Sequence, residues 1–149
     1  MTGRGLDRAA SGVGSHATGA DAPAECVTIG GGAAGTLAAV HLLRAGVRGP
    51  IALVERTDRL GRGVAYSTTF PAHVLNVVAS NLGGLACQPE HFRNWLAATG
   101  EPAGEFLPRI VFGRYLTALL SEASGQRAGV LSTIRGEAVG LKRAGGGRS

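Results

Sequence analysis

An α/β fold, a parallel sheet with flanking helices, is predicted by three observations. Two short apolar runs, Cys26–Ile29 and Ile51–Val54, flank an Ala- and Leu-rich helical stretch at Ala33–Ala45. A G-x-G-x-x-G turn, Gly30-Gly31-Gly32-Ala33-Ala34-Gly35, joins the first run to the helix. An acid, Glu55, closes the second run. The helical stretch is expected to carry Ala34, Leu37, Ala38, His41 and Leu42 along one face, and Gly46 stands where a left-handed helix stop belongs.

Strand, turn, helix, second strand and acid in this order form a dinucleotide-binding unit, and each residue type has a physical task. Gly30 permits the tight turn out of the strand. Gly32 lets backbone approach a pyrophosphate, and Gly35 lets helix and strand pack closely. The free amides at the helix start, from Ala33 and Ala34 onward, face the phosphates with the positive end of the helix dipole. Glu55 lies 20 residues beyond Gly35, where a carboxylate accepts hydrogen bonds from ribose hydroxyls and repels a 2′-phosphate. The competing reading is an α/β unit whose glycines serve packing alone. A second fit to the looser pattern, Gly12-Val13-Gly14-Ser15-His16-Ala17, has no strand before it and no apolar helix after it. It is set aside.

The 149 residues suit one domain. Residues 1–24 lack apolar periodicity and are expected to be a disordered leader. That stretch has no apolar run long enough for a signal peptide or membrane span. Asp7 and Asp21 offset Arg4 and Arg8, unlike an organelle-targeting segment. The expectation is a cytoplasmic chain with no membrane partner. Cys26 and Cys87 have no metal-site spacing and are read as reduced, small core residues. The formal charge is +5, but the arginines are scattered among acids and aromatics are few. Nucleic acid is therefore not an expected partner. A basic balance also favours a polyanionic cofactor.

After Glu55 the chain continues Arg56-Thr57-Asp58-Arg59-Leu60-Gly61-Arg62-Gly63-Val64-Ala65-Tyr66-Ser67. A Gly-Arg-Gly loop at this point lets backbone approach a ligand lying along the carboxyl edge of the sheet. Arg62 either pairs with a phosphate or is merely solvated. Arg56, beside Glu55, is also a candidate cofactor-binding residue.

The order of motifs resembles the N-terminal part of the FAD/NAD(P)-binding proteins related to flavin-dependent N-hydroxylating monooxygenases. The resemblance rests on residues 27–35, on Leu53-Val54-Glu55, on residues 61–67 and on His73-Val74-Leu75-Asn76-Val77-Val78-Ala79. It continues through residues 89–96 and residues 106–116, and so covers roughly residues 26–120. The resemblance implies a Rossmann-like domain with FAD in this first fold. The glycine turn would hold the pyrophosphate and Glu55 the adenosine ribose. The Gly61–Tyr66 loop, with Arg62 and Gly63, and the segment around Asn76 would run along the pyrophosphate toward the flavin. Val78, Leu82 and Gln88 stand where that family usually has Pro, often Met, and commonly Asp. These departures bear on the flavin side of the site and leave the nucleotide turn untouched.

Further along, Pro89 is expected at the first position of a helix with Phe92, Trp95 and Leu96 on its apolar face, stopped at Gly100. A longer helix is expected from Ile110 to Ala123, with Val111, Tyr115, Leu116 and Leu119 at helical spacing between Pro108 and Gly125. Ala98-Thr99-Gly100 reads as a helix stop. His73 is the best placed of the histidines, and a loop residue serving structure is the expected role. No nucleophile triad, metal cluster or carboxylate pair is legible, so no catalytic residue is assigned. In flavoproteins the cofactor itself carries the redox chemistry.

The family's complete proteins contain a second nucleotide-binding fold for NAD(P)H, and no second glycine fingerprint is legible here in an α/β context. Residues 25–149 are accordingly read as the N-terminal part of an FAD/NAD(P)-binding domain, incomplete in its sheet. Leu131–Arg143 would begin further strands. A missing C-terminal portion or a second chain is the expected partner, beside a small-molecule substrate of unknown identity. The resemblance implies an NAD(P)H-dependent flavoprotein oxidoreductase, with monooxygenation a member of that class, and a chain that alone is inactive. The alternative is a non-catalytic dinucleotide-binding module or an inactive fragment.

Overall fold

Two parallel strands cannot be joined by a tight turn, so the first strand pair needs a helix between its members. The computed structural model, which describes residues 23–102 and 104–143, has that unit at its start. Strand β1 (Cys26–Ile29) leads through the glycine turn into helix α1 (Ala33–Arg44) and on to β2 (Ile51–Glu55). A short helix α2 (Gly63–Tyr66), a single 3-10 turn at Ala79–Asn81, α3 (His91–Thr99), α4 (Arg109–Gln126) and β3 (Leu131–Arg135) follow. The three strands are parallel in the order β1-β2-β3, with Cys26, Ile51 and Leu131 in register. The α/β architecture is the expected one. Most of the expected leader, residues 1–22, lies outside the described residues, as does the discarded glycine pattern at Gly12.

Strand alternation sorts the side chains by face. Cys26, Ile51, Leu53 and Leu131 join the core. The opposite face holds Val27, Ile29 and Ile134, which are 55%, 64% and 44% exposed. Among the described residues β1 and β3 are the sheet edges. The main apolar mass sits where α1 and α4 pack on the sheet. Val40, Leu43, Ile51, Leu53, Leu116 and Leu119 are almost wholly buried there. Phe92 of α3 and Phe112 and Tyr115 of α4 extend it as an aromatic cluster, with ring centroids 4.9–5.6 Å apart.

Several local expectations are corrected. The buried face of α1 is Thr36, Ala39, Val40 and Leu43, while Ala34, Ala38 and His41 are exposed. A helix that is Ala- and Leu-rich all round carries no polar stripe to fix its rotation, and packing on α4 decides it. Pro89 precedes the helix N-cap Glu90 and is not the first helical residue. Gly125 lies inside α4, because nothing crowds it and no positive φ is needed there. The left-handed turn falls instead at Gly129, φ +79°. Cys87 is exposed, so only Cys26 packs against the core. Cys87 sits in the irregular 82–90 segment, whose apolar contribution comes from Leu82 and Leu85. The Gly61–Tyr66 loop contains a full helical turn, α2.

Other punctuation falls as expected. Gly46 (φ +77°) and Gly100 (φ +67°) take the left-handed conformation after α1 and α3. Arg127 has structural partners. Its guanidinium donates to Leu43 O (3.4 Å) in the last turn of α1 and to Val47 O (2.8 Å) in the loop just beyond it.

Candidate dinucleotide site

The glycine turn is built from three different constraints. Gly30 has φ +91° with open space around its α-carbon, so its requirement is conformational. Gly35 is a contact glycine, because a β-carbon there would run into the Gly30 carbonyl oxygen. Gly31 is buried, and a β-carbon would meet Leu60 Cδ2 at 2.6 Å and Glu55 Cβ at 3.0 Å. Gly32 differs from all of them. A β-carbon there would meet only Gly63 Cα, at 3.6 Å, an ordinary contact. Among the described residues no neighbouring atom requires glycine at Gly32, although it faces the start of α1.

That start is open to an acceptor. Gly32 is the N-cap of α1, in extended conformation (φ −69°, ψ −168°), with no side-chain cap and no acid in the first turn. The Thr36 amide bonds back to Gly32 O at 3.0 Å. The amides of Ala33, Ala34 and Gly35 before it are the orphan donors every helix start presents. They carry the positive end of the helix dipole.

Glu55 closes the turn from the second strand. Its Oε2 accepts the Gly31 amide at 2.6 Å, and Oε1 accepts the Thr57 amide and hydroxyl, each at 2.9 Å. The hydrogen bond from the Thr57 amide, then that from the Gly31 amide, hold the carboxyl below its ordinary pKa. It is therefore a firmly ionised acceptor, fixed to the turn by Gly31. Sequence reasoning passed over Gly31, the middle glycine of the fingerprint, which both crowds against and bonds to this acid.

The Gly-Arg-Gly loop backs onto the same turn. The Gly61 amide reaches Gly31 O at 2.8 Å and Thr36 Oγ1 at 3.1 Å. The Thr36 hydroxyl, wholly buried, donates to Gly31 O at 3.0 Å. Gly61 (φ +80°) lies so close to α4 that a β-carbon would sit 2.8 Å from the Thr117 amide nitrogen. At Gly63 (φ +51°) a β-carbon would sit 2.9 Å from Gly32 Cα. Gly113 of α4 completes the fit, since a β-carbon there would meet Tyr66 O at 2.9 Å and Arg62 Cγ at 3.1 Å. Thr117 Oγ1 lies 2.8 Å from Leu60 O. Gly30, Gly31, Gly32, Gly35, Glu55, Gly61 and Gly63 are thus brought together. Thr36, Gly113 and Thr117 join them as residues that a bare glycine pattern does not signal.

The remaining candidates stand further out. Arg62 is half-buried by its stem against α4 and Arg56 is exposed, and neither forms an ion pair among the described residues. Asn76 is exposed beside the buried Leu75, whose amide bonds to Leu107 O at 2.8 Å. His73 serves the loop: its Nδ1 lies 2.7 Å from Thr68 Oγ1, and its carbonyl accepts the Arg109 amide at 2.8 Å. Among the described residues no group of His, Cys, Asp and Glu is placed to hold a metal ion. None of the described helices is long and apolar enough to cross a membrane.

Comparison with known proteins gives three findings. The profile of a family described as FAD-NAD(P)-binding matches residues 27–149. Tryptophan 2-monooxygenase of Pantoea agglomerans pv. gypsophilae is 42% identical over 67 residues, which are 45% of this chain and 12% of that protein. The crystal structure of Thermovibrio ammonificans THI4 aligns with 74% of this chain and 37% of that chain, at 18% identity and a TM-score of 0.40.

Proposed function

The chain belongs to the FAD-NAD(P)-binding family, and from that premise we propose that its Gly30–Glu55 unit holds the adenosine-diphosphate half of FAD. The observation that carries the reading is the juxtaposition of an uncapped helix start with an ionised, pre-positioned acid. Gly32 adds to it. Protein packing leaves room there for a side chain, whereas a pyrophosphate lying against the α1 amides would not.

The residues fit the group chemically. The amides of Ala33, Ala34 and Gly35 are donors matched to phosphate oxygens. Gly32 keeps the backbone thin at that point. A carboxylate offers about four lone-pair sites, and Glu55 uses three on Gly31 and Thr57. Capacity remains for a ribose hydroxyl, while a 2′-phosphate would meet a fixed negative charge. Arg62 and Arg56 supply positive charge, Arg62 from the loop that abuts Gly32. The segment around Asn76 is assigned to the flavin side. FAD, when bound, supplies the redox chemistry, and this chain's residues bind and orient it.

The reading extends to an NAD(P)H-dependent flavoprotein oxidoreductase, with hydroxylation of a small amine or amino acid as the specific activity. It requires NAD(P)H bound outside the Gly30–Glu55 unit, on a further portion of the protein or a second chain. The test is to purify the protein, release bound cofactor by denaturation and identify it, then assay NAD(P)H oxidation with the full-length protein. Released FAD with NAD(P)H turnover supports the proposal. Bound FAD without turnover makes the chain a non-catalytic dinucleotide-binding module. Failure of the folded protein to retain or rebind FAD overturns the cofactor assignment.

A further inference from the structure

Two backbone segments from different parts of the chain converge on the start of α1: the glycine turn and the Leu60–Gly63 loop. A loop of glycines is a poor cradle unless something fixes it, because glycine gives up more conformational freedom on ordering than any other residue. The loop has two polar anchors. Thr117 Oγ1 lies 2.8 Å from Leu60 O and 2.9 Å from Gly113 O of its own helix, so its single proton is shared between the loop and α4. On the other side the Gly61 amide is shared between Gly31 O (2.8 Å) and Thr36 Oγ1 (3.1 Å), while the same hydroxyl donates to Gly31 O (3.0 Å). Thr36 is therefore the side chain that touches the turn and the loop together. It does so from within the first turns of α1, and it is the one buried polar residue in a core otherwise apolar among the described residues.

We infer that Thr36 is a positioning residue for diphosphate binding. The loop and the turn are bonded to each other through the Gly61 amide and Gly31 O, and the Thr36 hydroxyl ties both of these groups to α1, so that loop, turn and helix start meet one diphosphate as a single preformed cradle with Arg62 at its rim. The inference rests on the dinucleotide reading above and adds a residue and a division of labour within the site. The hydroxyl has a structural contribution as well, since a valine of the same shape leaves the Gly61–Gly31 bond in place but removes the link of both to the helix. What distinguishes positioning from stability is selectivity for ligand. The diphosphate meets the coupled loops, whereas the ribose of adenosine meets Glu55, which the Gly31 and Thr57 groups hold directly and which Thr36 reaches only at one remove, through the Gly31 carbonyl.

The test uses the full chain and two probes, ADP and adenosine, titrated by NMR against wild type, Thr36→Val and Thr36→Ser at a temperature where all three are folded. Thr36→Val is expected to weaken ADP about tenfold, the scale of a lost buried hydrogen-bonding group, and to leave adenosine within about twofold. Thr36→Ser, which retains the hydroxyl, is expected to restore ADP to within about threefold of wild type. In a double-variant cycle the loss from Arg62→Ala shrinks in the Thr36→Val background, because the loop that carries Arg62 is then no longer tied to α1. Unchanged ADP affinity in Thr36→Val, equal loss of ADP and adenosine, or failure of serine to restore binding overturns the inference alone. Absence of ADP binding by folded wild type overturns the dinucleotide reading and this inference with it.

Discussion

Gly32 and Gly35 lie three positions apart in one turn, yet alanine at each should produce opposite phenotypes. At Gly35 the added β-carbon points into the Gly30 carbonyl oxygen, a backbone atom at the end of β1 that cannot rotate away. Relief requires α1 to move off the turn, and overpacking of this kind costs roughly 1–3 kcal/mol, occasionally more. Alanine regains up to about 1 kcal/mol of helix propensity over glycine. A rigid backbone neighbour places the gross cost at the upper end, so the net loss is about 2 kcal/mol. At roughly 4 °C per kcal/mol for a domain of this size, Tm falls by about 8 °C. At Gly32 the β-carbon reaches only Gly63 Cα, at 3.6 Å, and φ is −69°. Its stability change should stay within about 0.5–1 kcal/mol, the scale of exchanging glycine for alanine at an N-cap. ADP affinity should nevertheless fall, because the methyl occupies the line of approach of the diphosphate. Thermal and urea unfolding of both variants, paired with ADP titration, checks the contrast. A Gly35→Ala variant as stable as wild type would refute the packing argument. A Gly32→Ala variant that binds ADP normally would refute the argument that glycine is kept there for the ligand.

Glu55→Gln should lower stability at neutral pH, and the sign of the pH dependence is fixed. The folded carboxyl titrates below its ordinary value, so its contribution is complete above about pH 4.3 and is lost as pH falls through the lowered pKa. Urea unfolding of wild type and variant from pH 7 downward should therefore converge in acid, and a constant gap would refute it. Tyr115→Phe removes the hydroxyl that accepts the Gly84 amide at 3.2 Å and meets His91 Nδ1 at 3.1 Å. The buried, unpaired amide should cost about 1–3 kcal/mol in urea unfolding, and a change below about 0.5 kcal/mol would contradict it. Ile29→Lys on the exposed sheet face, where Ile29 is 64% exposed, should leave the urea-unfolding midpoint almost unchanged, and a loss above about 1 kcal/mol would contradict that placement.

The sequence by itself determined the β1–α1–β2 unit, the places where α1 and α3 stop, and the pairing of a glycine turn with an acid at the end of the second strand. These are local matters. Positive φ, short apolar runs and a carboxylate at a fixed separation are set by residues near one another in the chain. The tertiary structure decided what those glycines are for. Gly31 and Gly35 answer to Glu55, Leu60 and the Gly30 carbonyl, Gly61 and Gly113 answer to contacts between α4 and the loop, and Gly32, among the described residues, answers to no atom that would exclude a side chain. It also turned α1 about its axis, so that Thr36 and Val40 face inward and Ala38 and His41 outward. An Ala- and Leu-rich helix has no strong polar side with which to announce its orientation. The Thr36 hydroxyl became a junction only because a loop 25 residues along the chain folds back onto it, and a contact across that separation leaves no periodic mark in the sequence.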